Sequence, residues 1–291
     1  MRIFRLTTVL PLLLAAASTV TFAQWADHPT PGPRKDGKID MAADPPRTSD
    51  GRVDFTGLWE PARGPARGGR GGGESMNGTK PLPYAIPTAP GDPPVGQFFN
   101  IGAGLPGGLP PMTPWAADLR AKRKADNNKD NPDALCEPLG LTQLHMHPQP
   151  RNIVQTPREI VVLYEANGNT RQIYTDGRPL PKNDPSPWYY GYSVGHWEGN
   201  DTLVVETTGF RDDVWLDVEG SPLTNTGKMT ERWRRPKFGL MQIDITIEDP
   251  KAYTKPFTVR VNHQLMPDSS LMEFVCEERD AKHYIGADTK K

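Results

Sequence analysis

The sequence predicts a mostly β fold: an antiparallel β-barrel preceded by a long Pro/Gly-rich arm and one short helix. Two observations carry that prediction. From residue 152 onward, short segments of alternating apolar and polar residues follow one another, separated by residues that bend a chain out of a strand. Before residue 112, Gly, Pro and small polar residues dominate and no apolar periodicity is sustained.

The β segments are 152–155, 159–165, 171–175, 193–198, 202–208, 228–234, 240–248, 257–265 and 271–277. Short turns at Asn167-Gly168-Asn169, Asp176-Gly177-Arg178, Glu198-Gly199-Asn200-Asp201 and Pro267-Asp268-Ser269 separate several of them. Tightly joined consecutive strands pair antiparallel, and many short strands in succession point to a barrel or sandwich. In Met241 through Glu248, Ile243, Ile245 and Ile247 share one face while Gln242, Asp244, Thr246 and Glu248 share the other. One face meets a core and the other meets water or a polar lumen.

The arm, residues 24–111, includes Arg67-Gly68-Gly69-Arg70-Gly71-Gly72-Gly73. One island within it, Val53 through Trp59, alternates as a half-buried strand does and is expected to dock on the main domain. Residues 112–135 form a surface helix and linker. Thr113 is placed to cap, Pro114 suits the first turn, and residues 116–125 are mostly good helix formers. Residues 136–291 are assigned to the barrel domain.

Arg2 and Arg5 precede an apolar run from Val9 to Ala17, and small residues follow to Ala23. This is the pattern of a secretory signal peptide over residues 1–23, so the chain is expected in the periplasm or outside the cell. No later segment approaches the roughly 20 apolar residues of a spanning helix, so no membrane span is expected. In an oxidising compartment Cys136 and Cys276, the two cysteines, are expected to pair. A net charge of −1 gives no general attraction to nucleic acid. The partner expected is a small-molecule ligand.

Three stretches together carry a resemblance. They are Ile153-Val154-Gln155-Thr156-Pro157 with Glu165 and Arg171 through Arg178, then Gly195-His196-Trp197-Glu198-Gly199-Asn200-Asp201 through Thr207, then Glu248-Asp249-Pro250 through Pro256. They resemble a widespread family of uncharacterised exported proteins of Gram-negative bacteria. The likeness covers about the last half of the chain plus Thr56-Gly57-Leu58-Trp59. It implies location and architecture and no assigned reaction. Where that family's pattern has Pro-His-Ser, this chain has Pro222-Leu223-Thr224, so any role of that histidine is absent or displaced. Gly57-Leu58-Trp59 and Gly195-His196-Trp197 are each similar to the Gly-x-Trp element of lipocalin-like (calycin) barrels. In such folds the tryptophan closes one barrel end and the glycine permits close backbone approach.

Candidate site residues fall into three groups. His145 and His147, two apart, would present imidazoles on one side of a strand and so offer two ligands to zinc, copper or iron, with Glu165, His196 or His263 as a third. Solvated histidines ahead of Pro148 are the alternative. His196 with Glu198 or Glu165 supplies a histidine and carboxylate for proton transfer. Tyr164 and Arg171 suit a polar cavity, and the ring-rich run Trp188, Tyr190 and Tyr192, with Trp197, suits a pocket rim. Cross-strand ion pairs and a barrel plug are the structural alternatives for these groups.

No Gly-x-Ser-x-Gly elbow, His-Glu-x-x-His, Cys-x-x-Cys or dinucleotide fingerprint occurs. Nucleotide-dependent chemistry is not expected, and the only cofactor entertained is a metal. Three readings remain open. The first is a binding protein for a partly apolar small molecule held in the barrel. The second is a cofactor-independent hydrolase, lyase or isomerase in the same cavity, and the third is a metal protein at His145 and His147.

Overall fold

The computed structural model describes residues 29–62, 79–182 and 187–276. The expected signal peptide, the Gly-rich run 67–73 and Glu277 lie outside them. Nine strands close a barrel: β1 (Gly57–Pro61), β2 (Arg151–Gln155), β3 (Glu159–Tyr164), β4 (Thr170–Tyr174), β5 (Tyr192–Glu198), β6 (Thr202–Thr208), β7 (Lys228–Lys237), β8 (Leu240–Glu248) and β9 (Phe257–Leu265). Each strand pairs with its neighbours in sequence, and β9 returns to β1. Directions cannot alternate all the way round a ring with an odd number of members. One neighbouring pair must run parallel, and it is β4 with β5, joined by the connection that carries the aromatic run.

The island at 53–59 is therefore more than a docked strand. Residues 57–61 are barrel wall, with Gly57 opposite Ile153 and Trp59 opposite both Arg151 and Leu265. Gly57 is required there: its φ is +142°, and a Cβ would stand 2.8 Å from Leu265 Cδ1. Trp59 is fully buried, donates Nε1 to the Phe55 carbonyl at 2.9 Å, and lies beneath the Arg235 guanidinium at 4.7 Å.

The expected strand at 271–277 does not form in its described part. The chain leaves the barrel at Leu265, and residues 271–276 belong to no strand. Closure explains this, because once β1 has taken the free side of β9 no edge remains to pair with.

Alternation places Met229, Glu231 and Trp233 of β7 opposite Ile247, Ile245 and Ile243 of β8, all with exposure of 0%. These face the lumen. Among the described residues two α-helices accompany the wall strands without joining them. In α1 (Pro114–Ala125) Thr113 accepts from the Ala116 amide at 3.3 Å, and Arg123 lies 4.2 Å from the Trp215 ring centroid. The second, α2 (Leu141–Met146), is buried along its whole length. It replaces the strand expected around His145 and His147.

One barrel end is plugged by α2 and the other by Phe55. At the first, Thr142 donates to the Leu216 carbonyl at 2.6 Å, and Arg151 donates to the carbonyls of His145, His147 and Gln149 at 2.7, 3.0 and 3.3 Å. A strand arginine thus satisfies carbonyls that the short helix and its exit leave without partners. At the other, Phe55 stacks on Trp197 with centroids 6.0 Å apart and meets Trp233 edge-on at 5.8 Å. The Val53 amide donates to the Asn200 carbonyl at 2.8 Å, and the Gln155 side chain bridges the Phe55 amide and the Val53 carbonyl.

Cys136 and Cys276 form a disulfide with Cα atoms 5.4 Å apart. No helix among the described residues is long and apolar enough to cross a membrane.

Candidate functional site

The lumen is filled by a charged cluster rather than a cavity open to solvent. Glu231 Oε1 accepts from His145 Nε2 at 2.7 Å, from Arg171 Nη1 at 3.1 Å and from Trp233 Nε1 at 3.3 Å, while Glu231 Oε2 pairs with Arg171 Nη2. Arg171 also donates to Ser193 at 3.0 Å and to Thr207 at 3.1 Å. Arg151 Nη1 stands 2.6 Å from His263 Nε2, and the His145 carbonyl stands 2.8 Å from the same nitrogen. All of these side chains are buried.

The protonation states follow from burial and neighbours. Burial opposes ionisation of Glu231, but Arg171 and the His145 hydrogen bond outweigh it and hold the carboxyl well below the usual range. Burial pushes His145 down, against the pull of Glu231. Burial, with Arg151 alongside, pushes His263 far down. At neutral pH the cluster therefore holds ionised Glu231 and Arg171 with uncharged imidazoles. The His145 and His263 Nδ1 atoms, Arg151 Nε and the Tyr164 hydroxyl are buried without a hydrogen-bond partner.

A histidine and carboxylate pair is thus present in the lumen, but not the pair read from sequence. His196 and Glu198 are exposed on the outer wall, and Glu198 pairs with Arg232 at 3.0 Å. Strand alternation is the reason: Gly195 and Trp197 take the inner side of β5, so their neighbours point outward. The other candidate carboxylate, Glu165, lies past the end of β3 and accepts from the Met272 amide at 3.0 Å. Nothing brings it to His196.

Tyr164 and Arg171 do face the lumen, where burial raises the Tyr164 hydroxyl. The aromatic run does not form a rim with Trp197. Trp188 is 40% exposed, Tyr192 packs on Trp188 and Tyr174, and Tyr190 bonds to Asn169. Trp197 lies elsewhere, between Phe55 and Arg52.

His145 and His147 do not share a ligand-binding face, because they occupy the penultimate position and the C-cap of α2 rather than a strand. His145 turns to Glu231, whereas His147 meets Asp133 at 3.4 Å and Phe98 edge-on. Among the described residues no group of three or more His, Cys, Asp or Glu has the spacing to hold a metal ion.

Two clefts flank the Phe55 plug. The larger, of about 680 Å³, has an apolar floor of Leu58, Phe238, Leu265 and Met266, with Asp44, Asp54, Thr56 and Asn152 among its polar groups. Its walls are arm residues 29–33 and the exit segment Ser269, Ser270 and Leu271. Arg235 lines it too, but its guanidinium donors are engaged by the carbonyls of Asp54 and Phe238. The smaller cleft, of about 320 Å³, lies between Trp197, Arg52 and Ile160. Of the nominated residues only Trp197 lines either cleft. The sequence signal for the larger one was Leu58, the middle residue of the first Gly-x-Trp element. No protein-family model, curated protein or solved structure matches this chain.

Proposed function

We propose that this chain is an exported binding protein for a small, partly apolar molecule, held in the cleft beside the Phe55 plug. The observation that carries the reading is the cleft itself. About 680 Å³ falls within the range of small-molecule sites, and its apolar floor is ringed by polar groups, among them Asp44, Asp54, Thr56 and Asn152, that could orient a partly apolar ligand. Export accords with the disulfide and with the leader pattern at the start of the chain. The buried His145–Glu231 pair serves the barrel: it ties α2 to β7 where neither solvent nor substrate reaches it.

The test uses the neutral fluorophore N-phenylnaphthylamine and mass spectrometry of the organic extract. Oxidised protein is expected to enhance the probe's fluorescence and to release a bound molecule on denaturation. Ser270→Trp, at an exposed wall position, is expected to weaken probe binding by about tenfold or more with the thermal transition unchanged. Equal binding by the two proteins would refute the location, and absence of both signals would refute the function.

A further inference from the structure

The chain beyond β9 has an anchor at each end and little burial between. The Met266 amide donates to the Leu58 carbonyl at 2.8 Å, and Cys276 is bonded to Cys136. In between, the Asp268 amide donates to Thr30 Oγ1 at 2.6 Å, and Asp268 Oδ1 accepts from the Thr30 amide at 2.7 Å. Met272 reaches Glu165. Yet Met272, Phe274 and Val275 are 61%, 41% and 66% exposed. A segment with no strand partners and exposed apolar side chains is not placed by burial. Apart from the bonds at Asp268 and Met272, its covalent tether is what fixes it, and the same segment supplies Ser269, Ser270 and Leu271 to the larger cleft.

We propose that residues 266–276 are a redox-dependent strap: the Cys136–Cys276 bond sets the outer wall of the cleft, and reduction releases both wall and ligand. The proposal rests on the reading of the cleft as the ligand site. The reductant is a dithiol. It supplies two electrons and two protons, the S–S bond breaks to give the two cysteine thiols, and the dithiol closes to its own disulfide. Both cysteines are only partly buried, so a thiolate has an approach.

The experiment compares oxidised full-length protein with the same protein reduced by dithiothreitol after folding, and with Cys136→Ser/Cys276→Ser. Amide hydrogen exchange and N-phenylnaphthylamine affinity are both read. Exchange over 268–275 is expected to accelerate by about tenfold or more, with β8 and β9 unchanged, and affinity to fall by a similar factor. Unchanged exchange in the strap would overturn the proposal, as would acceleration spread through the barrel strands. Faster strap exchange with undiminished affinity would overturn the link to the cleft. If even oxidised protein fails to bind the probe, the cleft reading fails, while the exchange comparison still decides whether the bond holds the strap.

Discussion

The two barrel ends are closed by different means. At the α2 end a buried helix is fixed by Arg151 to three carbonyls, by Thr142 to Leu216, and by His145 to a carboxylate in the lumen. At the Phe55 end an aromatic plug is bordered by arm and exit segments that are largely exposed and leave two clefts. Polar groups that are buried with partners specify one arrangement and leave no room, whereas loosely covered apolar floor leaves a seat. The charge inside the barrel thus serves its architecture, whereas the larger cleft sets Asp44, Asp54 and Arg235 around an apolar floor.

Removing a charge from the lumen gives the largest expected effect. Glu231→Ala leaves Arg171 buried without its carboxylate, and a loss of about 3–5 kcal/mol is expected in denaturant unfolding. A loss below about 1 kcal/mol would mean that the cluster does not organise the barrel.

The next largest is acid sensitivity. Both buried imidazoles titrate below the ordinary value of 6.5 in the fold, whereas the unfolded chain binds protons near it. The unfolded state takes up protons that the native state refuses. Stability is therefore complete above that pH and is lost as pH falls, at up to about 1.4 kcal/mol per pH unit for each histidine. Glu231, held low in the fold, adds to the loss below its ordinary 4.5, while Asp217, raised by burial, works in the opposite sense. Denaturant midpoints at about pH 7.5 and about pH 5 measure this, and a flat profile would show that the imidazoles accept protons in place.

The smallest effect belongs to the outer wall. His196→Gln is expected to change stability by less than about 0.5 kcal/mol and to leave probe binding unaltered. A marked loss of either would return His196 to the site.

Much of the barrel was legible because a half-buried strand repeats every two residues, as Met241 through Glu248 does without interruption. What escaped notice depended on distant partners. The six residues of α2 are too few to show a helical period, and their last carbonyls are held by an arginine on the following strand. His145 and Glu231 stand 86 residues apart. The only local hint was a carboxylate on the otherwise apolar face of Met229 and Trp233. For His196 and Glu198, alternation shows that they share a face and not which face; Gly195 and Trp197 on the other side held the answer. The run at 271–276 is rich in apolar residues, but strand propensity cannot create a ladder where the ring is already closed.

The central claim, that the ligand seat lies outside a filled lumen, is tested most directly by methyl NMR of the oxidised protein titrated with N-phenylnaphthylamine. The account predicts shifts at Leu58, Leu265, Met266 and Leu271, with Ile243 and Ile245 of the lumen unmoved. Shifts at the lumen isoleucines with the cleft methyls silent would contradict it.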